Sequence, residues 1–195
     1  RWADERLSYA ANDWLMHTMA RACCRSSVTA VHAYEDCSLW QFQEAKRRGK
    51  ACLYDMPIGY YPAWEMRQRI LAKEFAEWLP PKGLPASLYV RPEQKRKEME
   101  LADLVLAPSK FVQQTIQQFS DKKVALAPYG VDLERWLPTE ATGQERIITK
   151  QLRFIYVGPC SLRKGVPHLL RAWRAAQIKD AELELIGSWQ LAEAK

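Results

Sequence analysis

The sequence predicts an α/β protein: two Rossmann-like parallel-sheet domains, here incomplete at both ends. Three observations lead there. Short β-branched or aliphatic runs alternate with longer amphipathic stretches, which implies right-handed crossovers between parallel strands with helices covering both sheet faces. A polar stretch without apolar period, Pro138 to Lys150, separates two such series. The 195 residues, 48% hydrophobic and 27% charged, suit a globular chain that can bury a core, and exclude a disordered chain, a collagen or a coiled coil.

The first element is a helix from Asp4 to Arg21, with Leu7, Ala11, Trp14, Leu15, Thr18, Met19 and Ala22 along one apolar face. Ser26-Ser27 breaks it, and residues 28–33 form a buried strand. Asp36 or Ser38 caps a helix to Arg48, which Gly49 stops. Ala51 to Tyr54 is the next strand, closed by Asp55-Met56-Pro57. A helix from Pro62 to Trp78 carries Trp64, Leu71, Phe75 and Trp78 on one stripe and ends at Pro80-Pro81. The tryptophans at 14, 64, 78 and 173 read as core residues of their helices.

Lys82 to Val90 is a Pro/Gly loop, and Pro92 opens a charged helix through Ala102. Leu104 to Ala107 is a strand, Ser109 caps a helix to Phe119, and Lys123 to Ala127 is another strand ending in the turn Pro128 to Asp132. Beyond the linker come strand Leu152 to Val157, a Gly-bounded loop, helix Val166 to Gln177 and strand Glu182 to Ile186. The expected organisation is a first domain over 1–138, a linker over 139–150 and the start of a second domain over 151–195. With a helix opening the first series and two strands in the second, the chain reads as the middle of a longer protein. The charged start, Arg1 to Arg6, and the lack of an initiator Met agree with that expectation.

Charge and cysteines narrow the function classes. With 29 Lys+Arg against 23 Asp+Glu the net charge is +6, moderate, and open to a polyanion, a phosphorylated ligand or an acidic membrane surface. No recognition helix, RNP motif or zinc spacing is present, so nucleic acid is not an expected partner. The cysteines (23, 24, 37, 52 and 160) lack metal-ligand or disulfide-framework spacing and read as reduced thiols of a cytoplasmic protein. No apolar run is long enough to span a bilayer. The mixed-sign run Arg91 to Lys97 is most simply an exposed helix face, with peripheral attachment to an acidic membrane as the alternative.

The sharpest local motif is Gly158-Pro-Cys-Ser-Leu-Arg-Lys-Gly165, between a strand and an amphipathic helix. Gly158 permits close backbone approach, the helix N-terminus offers N–H groups and its dipole end, and Arg163 and Lys164 add full charges, as an anionic diphosphate needs. The spacing is neither a Walker A loop nor GxGxxG, and the alternative is a βα turn with a solvated Arg-Lys pair. His32 ends a strand and is followed by Tyr34, Glu35 and Asp36. Asp55, Gly59 and Tyr60 follow the next strand, so both groups sit at the carboxyl edge where ligands bind in parallel sheets. Their structural alternatives are a helix cap for Asp36 and turn-amide bonding for Asp55. Gly130 and Asp132 follow the last strand of the first series, with Asp132 able to cap the turn to Trp136.

Together, residues 158–173, the stretch Glu100 to Val112, Val124 to Asp132, and His32 to Asp36 with Tyr54 to Tyr60 resemble family 4 glycosyltransferases of the GT-B fold. The resemblance covers most of Val28 to Gly187. It implies two Rossmann-like domains facing across a cleft and transfer of a hexose-type sugar from a nucleotide sugar to an acceptor hydroxyl, with retention. It implies a sugar or glycolipid acceptor, no metal and no other cofactor, and a cytoplasmic location that extends to the inner face of a membrane. Lys164 then contacts the donor diphosphate, with Gly158 and Arg163 beside it. Pro159 stands where many members carry an Arg, and Arg163 compensates. His32 and Asp55 are the candidate catalytic residues, Gly130 and Asp132 donor-side groups, and Tyr34, Glu35, Asp36, Gly59 and Tyr60 acceptor-side groups. The family's Glu-x7-Glu donor motif is absent up to Lys195, so this stretch alone is expected to be inactive. The alternative is a non-catalytic nucleotide- or glycan-binding protein that kept the fold.

Overall fold

A computed structural model describes residues 2–23, 25–80, 91–135 and 152–192. The elements run α1 (Trp2–Ala22), β1 (Ala30–Tyr34), α2 (Leu39–Arg47), β2 (Ala51–Asp55), α3 (Tyr61–Glu74), a 3-10 turn (Ala76–Trp78), α4 (Pro92–Leu101), β3 (Leu104–Ala107), α5 (Lys110–Gln117), β4 (Val124–Leu126), β5 (Leu152–Val157), α6 (Val166–Ala176) and β6 (Ala181–Ile186). The protein is α/β with parallel sheets, Rossmann-like as the alternation requires. Sheet order is β1-β2-β3-β4 in one sheet and β5-β6 in the other. The predicted loop over 82–90 and linker over 139–150 lie outside the described residues.

The chain divides into two compact units, Arg1–Glu65 with Tyr89–Gly130, and Met66–Leu88 with Val131–Lys195. In the first, α2, α4 and α5 pack on the four-stranded sheet. Val31, Ala33, Cys52, Tyr54, Val105 and Ala107 alternate along the strands and meet Phe42, Ala45, Met99, Val112 and Ile116 in one core. The expectation of helices on both faces is not met among the described residues. β1 alternates instead, with Ala30, His32 and Tyr34 exposed. That face carries the polar strand-end side chains.

Caps explain several boundaries. Gly49 adopts φ +67° after α2, and its N–H donates to Lys46 O, closing the helix as expected. Ser109 Oγ accepts from Val112 N at 3.2 Å at the start of α5. The start of α2 departs from expectation. Ser38 occupies the N-cap position without a side-chain cap bond, and Asp36 is held at φ +69°. The donors Asp36 N, Ser38 N and Leu39 N go instead to the fully buried carboxylate of Glu98 on α4.

Two further corrections concern the helices. Trp14 is 69% exposed, as is most of the apolar stripe read on α1, while Met16 is buried and His17 stacks on Trp40 at 4.5 Å. α1 packs on α2 with the neighbouring face, so the stripe is not what decides its burial. The helix predicted to Trp78 ends at Glu74, because Phe75 leaves helical geometry (φ −120°, ψ 44°). In the second unit the Phe75 ring is buried among Cys160, Leu162, Val166 and Leu191, with Leu71, Trp78 and Leu170 packed around them. That packing joins residues 71–79 to the βα unit of β5, α6 and β6.

Candidate functional site

In the first unit the parallel register sets Tyr34 opposite Asp55 and His32 opposite Leu53. Side chains alternate with period two, so His32, Tyr34 and Asp55 share the face away from the core. The ladder continues past the strand ends: Glu35 N donates to Asp55 O at 3.1 Å, Met56 N to Leu106 O at 3.0 Å and Ala127 N to Ala107 O at 2.8 Å. This carries the polar residues to the carboxyl edge, where side chains of neighbouring strands converge.

Two sequence candidates meet there. His32 Nε2 lies 3.2 Å from Asp55 Oδ2, with the imidazole half exposed and the carboxylate largely buried. A carboxylate only accepts, so the tautomer that fits carries the proton on Nε2 and leaves a lone pair on Nδ1. The Tyr34 ring stands 6.0 Å from the His32 ring, tilted by 39°. The arrangement can take a proton from a hydroxyl, hand it on, and hold the resulting imidazolium against Asp55.

Glu35 and Asp36 turn the other way, toward α4. Lys95 Nζ lies 3.0 Å from Glu35 Oε1 and 3.0 Å from Asp36 Oδ2. Burial pushes the Glu35 carboxyl above its usual range, an effect that the facing Lys95 only partly offsets. Burial disfavours the Lys95 charge, but Glu35 and Asp36 together raise its pKa. The two directions describe one buried pair in which the carboxylate bears the desolvation cost. Neither acid is therefore offered to a ligand as freely as His32 is.

Glu98 is the residue that sequence reasoning missed. Besides the three backbone donors it accepts from Tyr54 Oη at 2.9 Å and Gln94 Nε2 at 2.9 Å. Its only signal is position: it adjoins Met99 and lies four residues before Ala102, both on the buried face of α4. Around it, Asp36 Oδ1 and Ser38 Oγ are buried without a hydrogen-bond partner among the described residues. Burial pushes the Tyr54 hydroxyl up, and the Glu98 charge adds to the effect.

The turn after β2 is fixed by α5. Tyr60 N donates to Thr115 Oγ1 at 3.0 Å, and a Cβ on Gly59 would stand 3.3 Å from Phe111 Cε1. Gly59 thus permits a close approach of backbone to helix. Tyr60 is buried, and burial raises its hydroxyl to about 12, so it acts as a packing residue with no ionisation near neutrality. Gly130 is exposed, with open space around it.

The second unit holds the other candidates. Gly158 has φ +145° at the end of β5, and its N–H donates to Ile186 O at 2.8 Å. Gly187, at φ +149°, ends β6 against it. A Cβ there would fall 2.0 Å from Gly158 O. The Tyr156 hydroxyl donates to Pro159 O at 2.9 Å and steadies the loop. Arg163 and Lys164 are exposed, and among the described residues neither side chain has a hydrogen-bond or ion-pair partner.

The helix start differs from expectation. Gly165 N donates to Leu162 O and Val166 N to Ser161 O, and Pro167 has no N–H, so the loop already takes up donors at the head of α6. The cationic side chains remain as the available anion contacts. Asp132 Oδ1 accepts from Glu134 N and Arg135 N, which is the turn cap expected of it. Among the described residues no group of three or more His, Cys, Asp or Glu side chains is placed to hold a metal ion, and no helix is long and apolar enough to cross a membrane. Compared with known proteins, the chain matches no family model and no curated protein.

Proposed function

We propose that this chain is part of a retaining glycosyltransferase that moves a hexose-type sugar from a nucleotide sugar to the hydroxyl of a sugar or glycolipid acceptor. The observation that carries the reading is the His32–Asp55 pair at 3.2 Å on the carboxyl edge of a parallel sheet. In this reading the acceptor oxygen bonds to the anomeric carbon on the same face from which the diphosphate leaves, as retention requires, while the sugar–phosphate bond breaks and its electron pair stays on the diphosphate. His32 takes the hydroxyl proton and Asp55 holds the imidazolium that forms. Arg163 and Lys164 stabilise the charge that develops on the leaving diphosphate.

The free thiols of Cys37, Cys52 and Cys160 support a reducing, cytoplasmic setting. A glycolipid acceptor would bring the protein to the inner face of a membrane.

A second reading, a non-catalytic nucleotide- or glycan-binding protein, is favoured by one observation: the loop consumes N–H donors at the head of α6. Calorimetry with UDP, GDP and ADP, followed by a transfer assay on the complete gene product with the matching sugar nucleotides, separates the two. Nucleotide binding with transfer supports the enzyme. Binding without transfer supports the second reading, and no nucleotide binding removes both the diphosphate assignment and the enzyme.

A further inference from the structure

The edge of the four-stranded sheet where its strands begin is basic. Arg25 precedes β1, Lys50 stands directly before β2 and Lys123 directly before β4, while α2 ends at this edge on Lys46 and Arg47. Hydrogen bonds gather these residues. Lys50 Nζ donates to Cys23 O and to Arg25 O, both at 2.6 Å. Lys46 Nζ donates to Asp103 Oδ1, and the other oxygen of that carboxylate accepts from Cys52 N at 2.8 Å. Val105 N in β3 donates to Lys123 O at 2.9 Å.

Much of this charge is not neutralised. Lys122 Nζ donates to Glu100 O at 2.6 Å and Ala102 O at 2.7 Å, so Lys50 and Lys122 both spend their donors on carbonyls near the ends of α1 and α4. A carbonyl at a helix C-terminus carries only partial charge, and the ammonium group keeps most of its own. Ammonium groups pinned in this way have little freedom left to lose on binding. Among the described residues the acids of this edge are few. Glu44 pairs with Arg47 and Arg48, Asp103 with Lys46, and the Glu100 side chain turns to Arg96 of its own helix.

The neighbouring side chains choose the kind of partner. Ser26, Ser27 and Thr29 are exposed between Arg25 and β1. Their hydroxyls can donate to carboxylates, and the forked guanidinium groups of Arg25 and Arg47 match a carboxylate at two points. The same stretch gives lipid tails nothing apolar to hold. The His32–Asp55 pair lies toward the other end of β1 and β2, so an occupant of the basic edge leaves that site open.

We infer that this basic edge docks an acidic segment of a partner protein, one rich in Asp and Glu. The inference is independent of the glycosyltransferase reading, which uses the opposite edge of the sheet.

Fluorescence anisotropy of a labelled peptide of alternating Asp and Glu tests it on the full 195-residue chain, with phosphatidylserine vesicles and duplex DNA as competing probes. The expected result is peptide binding that weakens about tenfold between about 50 and 200 mM salt. Affinity should be about tenfold lower in the double variant Arg25→Gln/Arg47→Gln and retained in Arg25→Lys/Arg47→Lys, which keeps both charges. No peptide binding at the lower salt overturns the surface, as does an affinity that the glutamine pair leaves unchanged. Peptide binding lost instead in Arg163→Ala/Lys164→Ala would move it to the other cationic loop and overturn it as well. Tighter binding of the vesicles or of the duplex, lost in the glutamine pair, would make the edge a membrane or nucleic-acid surface and contradict the acidic protein partner.

Discussion

The Tyr54 hydroxyl donates to the Glu98 carboxylate at 2.9 Å in the interior of the first unit, where both side chains are fully buried. The bond ties β2 to α4. The same carboxylate holds the backbone of Asp36, Ser38 and Leu39, so one acid fixes the loop that carries the chain from the site into α2. Removing it strands several buried donors at once. Glu98→Ala is expected to cost about 3 kcal/mol, and Glu98→Gln, which keeps one acceptor oxygen, about half of that. Urea unfolding of the two variants checks the order. Tyr54→Phe should cost about 1 kcal/mol, since it removes one donor and leaves the carboxylate its others.

Glu35 gives a pH-dependent prediction. Its folded pKa lies above its unfolded value, so its contribution to stability is present below the ordinary glutamate range and is lost as pH rises through the folded value. The stability of wild type relative to Glu35→Gln should therefore fall as pH rises from about 4 to 7. Urea midpoints at several pH values measure this, and a difference that grows with pH would reverse the assignment. Lys95 works at the other end: its folded pKa is raised, so its contribution holds below the ordinary lysine range and is lost as pH climbs through the folded value.

Gly187 tests the second unit. Its backbone is at φ +149°, and an added Cβ would lie 2.0 Å from the carbonyl oxygen of Gly158. Backbone atoms cannot yield as a flexible side chain can. Gly187→Ala should destabilise the β5–β6 pair by about 3 kcal/mol or more, while Gly165→Ala, with open space around it, should cost only the strain of its positive φ, about 1 kcal/mol. Tryptophan fluorescence on unfolding, from Trp173 and Trp189 beside the affected strands, reports both.

The fold is largely legible in the sequence because period and punctuation are local. Gly49 and Ser109 stand where their helices stop and start, and strand β3 falls where its aliphatic run predicts. Legibility fails where a helix face must be chosen by its neighbours. Trp14 lies on the more apolar stripe of α1, yet it is Met16 that is buried and His17 that stacks on Trp40 of α2. Glu98 looks like one charge among many in α4, and nothing local separates a solvated acid from one that caps another helix 60 residues away. His32 and Asp55 are each legible as polar strand-end groups. Their meeting depends on β1 pairing with β2 in one register, a long-range fact that no spacing encodes.

In the proposed reading Arg163 and Lys164 carry the donor side. Since the loop occupies donors at the head of α6, the charged side chains should supply most of the diphosphate affinity. Lys164→Ala and Arg163→Ala are each expected to weaken UDP or ADP binding about tenfold, with the double variant losing more, as read by calorimetry. Unchanged affinity in the double variant would assign the nucleotide to another surface.

The central claim is that the His32–Asp55 pair serves transfer of a sugar to an acceptor hydroxyl. The most direct measurement is the kcat of the complete gene product with its best nucleotide sugar, in wild type, His32→Ala and Asp55→Asn, with the anomeric configuration of the product read by NMR. The account predicts a retained configuration and a kcat lower by about a hundredfold or more in His32→Ala, with a smaller loss in Asp55→Asn. Transfer at the wild-type rate in both variants would contradict it.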